Sequence, residues 1–311
     1  MNRPVCPEVS GFPAVCLQSP ELEVWVIPQL GAKVVSVFDR VADHEWIDGG
    51  RSAELWASPV GSAFDKSPLR GWDECFPTVA GGEWQGVEQA DHGDLWARPW
   101  EVVPTDHFAD PAMQLTTRID HDDWRMTRTL RVEGARLRAD YVLQNFADHA
   151  RSYVWAQHPL LSCASGDRLE IPAGTVVQRV ELASGSARRL GGGPLSWPGE
   201  VEGLALPELE LGPTPGYVKL FLAWDDTAGP AVLRCGRSGA TLACRFGPVE
   251  RLPWLGVWLT RGGFAGLHQI ALEPTNAASD ALALAGDHRS EATTLQAGGT
   301  RSWWVRWDLG R

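Results

Sequence analysis

The sequence predicts an all-β protein, a large antiparallel β-sandwich with little helix. Three observations predict it. Apolar and polar residues alternate with period 2 through most of the chain. No segment sustains a 3.6-residue amphipathic pattern over helix length. The 33 glycines and 22 prolines are spread along the chain as turn punctuation.

Taken in order, Glu21–Pro28 (ELEVWVIP) places Leu22, Val24 and Val26 on one face, and Ala32–Asp39 (AKVVSVFD) reads as its neighbour. From Asp48 to Ala90 no period is visible, and the stretch reads as a long irregular segment. Its Trp56, Phe64, Trp72, Phe76 and Trp84 argue for a functional loop rather than disorder. Strand-like runs resume at Leu95–Val103, Ala112–Ile119, Trp124–Val132, Arg136–Phe146 and Ser152–Leu161. Trp124, Met126, Arg128 and Leu130 share one face, as do Leu137, Ala139, Tyr141 and Leu143; Glu133-Gly134-Ala135 between them is a tight-turn signal. Further runs follow at Thr175–Leu182, Tyr217–Trp224, Ala231–Cys235, Ala240–Phe246, Leu255–Thr260, Leu267–Glu273 and Ser302–Asp308. Ser184–Pro215 is a second Gly/Pro-rich stretch, and Asp280–Ala285 reads as a short turn or helix. There is no internal repeat and no linker, so residues 1–311 read as one domain of two sheets packed face to face.

The net charge of −11 disfavours a nucleic-acid partner, since an acidic surface repels the phosphate backbone and no Lys/Arg run offsets it. No apolar run approaches the roughly 18 residues that span a bilayer, which excludes a helical membrane anchor. The first residues, MNRPVCPEVSGFP, carry no apolar signal region. Six cysteines, Cys6, Cys16, Cys75, Cys163, Cys235 and Cys244, show no paired metal-binding spacing. They read as thiols in a reducing compartment, several of them buried, and the expected location is cytoplasmic. Sixteen tryptophans are an unusual number. Indoles fill β-sandwich cores and also stack on sugar C–H faces, so roughly two to four are expected at a ligand site.

Four stretches carry chemistry. Ser67–Val79 (SPLRGWDECFPTV) sets Arg70, Asp73 and Glu74 among Trp72 and Phe76, a mixture suited to sugar hydroxyls or to an ion pair that pins a loop. Asp91–Trp96 (DHGDLW) holds His92 before Gly93, which permits positive φ or a close backbone approach. Tyr153–Leu161 (YVWAQHPLL) ends a strand on His158, with Pro159 interrupting the ladder. Leu267–Asn276 (LHQIALEPTN) carries Glu273, a carboxylate on an otherwise apolar strand. Burial there raises a carboxylate's pKa and suits a general base. His268, five residues away, falls on the opposite face.

Together, and in order, these stretches resemble the galactose mutarotase-like superfamily of aldose 1-epimerases. Gly31–Arg40 (GAKVVSVFDR) is similar to its opening hairpin and His44-Glu45-Trp46 to the continuation. DHGDLW and AQHP are similar to its two histidine motifs, and GLHQIALEPTNAASD to its glutamate-bearing strand. Two departures mark a divergent branch. The early arginine is matched by Arg70 without its asparagine neighbour, and Pro159-Leu160-Leu161 replaces an aromatic-rich stretch.

The resemblance implies a monosaccharide or sugar phosphate as ligand, no metal or redox cofactor, and a monomer or homodimer. It implies catalysis by Glu273 as base at the anomeric hydroxyl and His158 as acid at the ring oxygen. His92, Arg70, Trp72 and Asp73 would bind the sugar. An ionised carboxylate with an imidazolium donor leads to a bell-shaped pH dependence. Two other readings share the fold: a sugar-binding or sensing protein without turnover, and a glycoside-processing enzyme pairing Glu273 with Asp73 or Glu74. His92, His158 and Glu273 are expected in one cleft on one sheet face, with Arg70 or Trp72 at its rim.

Overall fold

The computed structural model describes the whole chain except residues 1–7, 105–109, 111–112, 185, 191–194, 202–203, 206, 208–214, 226, 228 and 286–292. Cys6, the first residue of the expected strand Ala112–Ile119, and parts of the second Gly/Pro-rich stretch lie outside the described residues.

Two antiparallel sheets dominate. The larger, of 12 strands, runs in spatial order Val15–Gln18, Leu22–Ile27, Lys33–Asp39, Gly71–Cys75, Ala156–Ser162, His268–Thr275, Trp254–Arg261, Gly216–Ala223, Val176–Ser184, Ser186–Leu190. Two short strands, His44–Glu45 and Leu195–Ser196, flank this path. The smaller, of 8 strands, runs Arg168–Glu170, Ala231–Arg234, Thr241–Gly247, Thr300–Gly310, Arg136–Asn145, Trp124–Glu133, Gln114–His121, Glu101–Val103. The single α-helix among the described residues, Leu282–Ala285, has four residues. None of the described helices is long and apolar enough to cross a membrane.

Period-2 patterning explains the sandwich. In the hairpin Trp124–Glu133/Arg136–Asn145, Trp124, Met126, Leu130 and Val132 turn inward with Leu137, Ala139, Tyr141 and Leu143, while alternate residues meet solvent. Val24, Val26, Val34, Trp72, Leu220, Leu255, Val257 and Leu272 of the larger sheet, with Trp155 just before the strand Ala156–Ser162, join them in one core. Rings interlock across the interface: Tyr141 lies edge-on to Trp155 with centroids 4.8 Å apart, and Trp72 faces Trp307 at 6.0 Å. Cys75, Cys163 and Cys244 are buried thiols whose pKa burial raises, to about 12 for Cys163.

Two expectations about local structure change. Leu95–Val103 is not one strand: Leu95–Ala97 is a 3₁₀ turn and only Glu101–Val103 pairs in the sheet. Trp96 and Trp100 are both buried, so the apolar spacing there serves a turn. The stretch from Asp48 to Ala90 is not all loop either. Gly71–Cys75 is a fully buried inner strand between Lys33–Asp39 and Ala156–Ser162.

That strand holds adjacent carboxylates on opposite faces. Glu74 points into the core, where Arg128 Nη1 donates at 2.8 Å, Tyr141 Oη at 2.8 Å and Trp155 Nε1 at 3.0 Å. Gln157 extends the network, donating to Tyr141 Oη and accepting from Trp307 Nε1. Arg128, which shares a face with Trp124, Met126 and Leu130, is fully buried, with Glu74 as its counter-ion. Burial raises the pKa of Glu74, against the opposing pull of Arg128 and the donors.

Arg128→Met would leave Glu74 buried without its counter-ion and should cost about 3–5 kcal/mol in urea unfolding. The double variant Glu74→Leu/Arg128→Met should regain much of that loss, because neither charge is then stranded.

Candidate functional site

The other face of the larger sheet carries the candidate site. Asp73, His158 and Glu273 lie on it, on neighbouring strands. The ladders pair His158 with Asp73 and Glu273 with Gly256. A side chain at Gly256 would crowd Glu273, since an added Cβ would lie 3.2 Å from the Glu273 Cβ. Lys219, one strand further on, faces the same side. Its Nζ contacts Glu273 Oε2 at 2.5 Å and Asp280 Oδ1 at 3.3 Å.

A cleft of about 260 Å³ opens above this face. Its apolar walls are Phe64, Leu69, Leu160, Tyr217, Trp258 and Phe264, and its polar lining includes Asp91, His92, His158, Lys219, Gln269 and Asp280. His92 is delivered by a turn rather than a strand. Its own φ is 60° and that of Gly93 is 67°. A Cβ on Gly93 would sit 1.9 Å from the carbonyl oxygen of Phe76, so only glycine permits this crossing. The expected close approach at Gly93 is therefore to the protein's own backbone. The His92 N–H donates to Val79 O at 2.7 Å, and Asp91 Oδ1 lies 2.9 Å from His92 Nδ1. Asp91 Oδ2 accepts the Phe64 N–H at 3.0 Å, and the Phe64 ring stacks on His92 with centroids 3.9 Å apart.

His92 and His158 meet edge to face, with centroids 5.1 Å apart. His158 Nε2 lies 3.7 Å from Glu273 Oε1, beyond hydrogen-bond range. Neither Glu273 Oε1 nor His158 Nδ1 has a hydrogen-bond partner among the described residues, although both are buried. Buried polar atoms are normally paired; of these two residues His158 lines the cleft and Glu273 lies beneath it. Burial lowers the pKa of His158 well below the usual imidazole value, reinforced by His92, Lys219 and Lys33. It is thus a neutral ring at physiological pH, not the imidazolium expected of it. Burial raises the pKa of Glu273, with Lys219 pulling the other way. Burial also opposes the charge on Lys219, but Asp280 and Glu273 outweigh it and raise its pKa.

The other sequence-derived residues fall outside the cleft. Trp72 occupies the opposite face of its strand, buried in the core against Trp307, because it shares parity with Glu74. Glu74 is on that core face too, which removes it as a partner for Glu273 in two-carboxylate hydrolysis. Asp73 is on the site face but wholly buried and bound to Lys33 Nζ. Arg70 is ion-paired to Asp48, beside the cleft rather than in it. Glu273, 1% exposed, lies beneath Lys219 and His158. Of the tryptophans only Trp258 lines the cleft among the described residues, fewer than expected. Sequence reading missed Asp91, Lys219, Gln269 and Asp280. Lys219 carried a usable signal, a lone cation within the apolar run Tyr217–Trp224. No group of three or more His, Cys, Asp or Glu side chains among the described residues is arranged to hold a metal ion.

No protein-family model and no curated protein matches the chain by sequence. Solved structures do match by shape. A galactose mutarotase-like protein from Clostridium acetobutylicum superposes with TM-score 0.69 at 12% identity, over 99% of this chain and 98% of the other. A galactose mutarotase related enzyme from Lactobacillus acidophilus gives 0.67 at 13% identity, over 96% and 97%. A protein from Synechocystis sp. PCC 6803 gives 0.68 at 15% identity, over 100% and 98%. The chain has the galactose mutarotase-like fold.

The Gly93 crossing can be tested by substitution. Gly61 shares its positive φ but has open space around it. Gly61→Ala should cost only the left-handed strain, about 1–2 kcal/mol. Gly93→Ala should cost clearly more in the same urea titration, because the Phe76 backbone must also move.

Proposed function

Taking that fold as the premise, we propose that the chain binds an aldose in this cleft and interconverts its α and β anomers. The observation that carries this reading is the pair formed by Glu273 Oε1 and His158 Nε2. Glu273 Oε1 is buried without a hydrogen-bond partner among the described residues and lies 3.7 Å from His158 Nε2, beneath a cleft that His158 lines and aromatic rings wall. Aromatic faces suit the C–H faces of a pyranose.

In this mechanism Glu273 takes the proton from the anomeric hydroxyl. The C1–O5 bond breaks as C1 becomes an aldehyde, and O5 receives a proton. Rotation about C1–C2 presents the other face of the carbonyl, and the reverse transfers close the ring as the other anomer. His158 supplies the proton at O5 as a neutral imidazole donor, a weaker acid than an imidazolium but one already in place. Lys219 holds Glu273 Oε2 and favours the ionised carboxylate, leaving Oε1 to act. His92, oriented by Asp91 and Phe64, holds a sugar oxygen and steadies developing charge. The buried thiols fit a reducing, cytoplasmic setting.

One observation favours a second reading, sugar binding without turnover. Glu273 is 1% exposed and already ion-paired with Lys219, which weakens it as a base.

Proton exchange between anomers, followed by NMR on a panel of aldoses, separates the two. Glu273→Gln should lower turnover by at least about a hundredfold while sugar still binds, since acid–base catalysis is worth about 10²–10⁴. Binding without anomerisation by the unaltered protein would establish the second reading instead.

The pH dependence has a definite sign. Activity needs ionised Glu273, whose pKa is raised, so kcat/KM should climb with pH through a limb above the ordinary carboxylate range. His158 is already neutral there, so no falling limb from it follows at neutral pH, and the bell shape expected of an imidazolium donor gives way to a plateau. A fall in activity between neutral and mildly alkaline pH would count against a neutral His158.

A further inference from the structure

Gln269 stands on the same strand and face as Glu273, four residues away, and lines the far end of the cleft. Four residues of strand span about 13 Å. The stretch between them is apolar: Ala271 on the same strand, with Leu160 and Trp258 on its neighbours lining the cleft. A pyranose ring lying on that platform, with its anomeric oxygen at Glu273, presents its remote hydroxyls to Gln269.

The side chain of Gln269 is wholly buried and its orientation is determined. Nε2 donates to Asp48 Oδ2 at 2.7 Å and to Leu69 O at 2.8 Å, both of which can only accept. A flipped amide would set oxygen against two oxygens, so Oε1 points away from them. Oε1 has no hydrogen-bond partner among the described residues. Behind it, Arg70 is engaged by Asp48. The far end of the cleft therefore offers a fixed acceptor beside the Asp48–Arg70 ion pair.

We propose that Gln269 Oε1 accepts a hydrogen bond from a hydroxyl at the end of the sugar remote from the anomeric carbon. The cleft consequently takes an aldose with a free hydroxyl there and not a phosphate. This rests on the aldose reading above and deepens it by naming a specificity-determining residue and a substrate class. A phosphate brings only acceptor oxygens to an acceptor that needs a donor. A hydroxyl brings the donor that Oε1 lacks.

The test compares D-glucose and D-galactose with their 4-deoxy, 6-deoxy and 6-phosphate derivatives, by NMR titration for binding and by anomer exchange for turnover. With the unaltered protein, the 6-phosphates should bind at least about tenfold more weakly than the parent sugars. One deoxy analogue should lose about three- to tenfold, the loss of one hydrogen bond. Gln269→Met should raise the dissociation constant and KM of the parent sugar by a similar factor, with kcat little changed. It should also erase the penalty on that deoxy analogue. The deoxy and phosphate arms use the unaltered chain, so they stand even if the variant folds poorly. Preference for a 6-phosphate, or equal binding of the parent and every deoxy analogue, would overturn the proposal. Turnover with no Gln269 effect defeats this inference and leaves the aldose reading standing. The predicted binding pattern without turnover defeats catalysis and leaves Gln269 in its role. No binding and no turnover on any member defeats both.

Discussion

The strand Gly71–Cys75 sets the terms for the rest of the molecule. It sits inside the larger sheet and presents one carboxylate to each side, Glu74 to the core and Asp73 to the site face. Each charge is affordable only because a cation from elsewhere in the chain meets it. Arg128 crosses from the smaller sheet to Glu74, and Lys33 reaches Asp73 from the neighbouring strand. The first pair fixes how the two sheets face each other, since a slip of either sheet would strand a buried charge. The second holds the sheet face beside His158, the ladder partner of Asp73.

From that strand the site is assembled by register. Asp73, His158 and Glu273 occupy successive strands in line, and Gly256 leaves room for the carboxylate. Strands place His158 and Glu273, whereas two irregular segments close over them. The turn at Asp91–Gly93 brings His92, and the segment around Phe64 brings the ring that stacks on it. Lys219 and Asp280 then set the electrostatics of the floor.

Much of this was legible in the sequence, for physical reasons. Strands with one wet face alternate cleanly, so the hairpin Trp124–Asn145 and the sandwich class could be read directly. His158 and Glu273 stood out as polar residues in apolar strands. Gly71–Cys75 did not read as a strand because both its faces are buried and both carry charge, which erases the alternation. The same parity explains why Trp72 was misread: its polar neighbours suggested a sugar platform, but Trp72 and Glu74 share the core face. The parity rule that set His268 aside also puts Gln269 on the face of Glu273. What no local pattern contained was the partnership of distant residues, Arg70 with Asp48 or Lys219 with Glu273, which exists only after the sheets form.

Phe64 is held through its backbone N–H by Asp91, and the histidine it stacks on follows Asp91 directly. The roof of the cleft is thus a unit of two loops latched to each other, while His158 and Glu273 below belong to the sheet. Part of the cleft's shape is in this way carried by loops, while Leu160, Tyr217, Trp258 and Gln269 line it from the strands. Loop residues such as Leu69 and Asp65 can drift over generations, reshaping what enters, without disturbing the ladder that holds Glu273 and His158. A fold organised like this can change the roof over its cleft while the strands beneath stay fixed, which makes the Phe64 segment a natural place to graft a new lining.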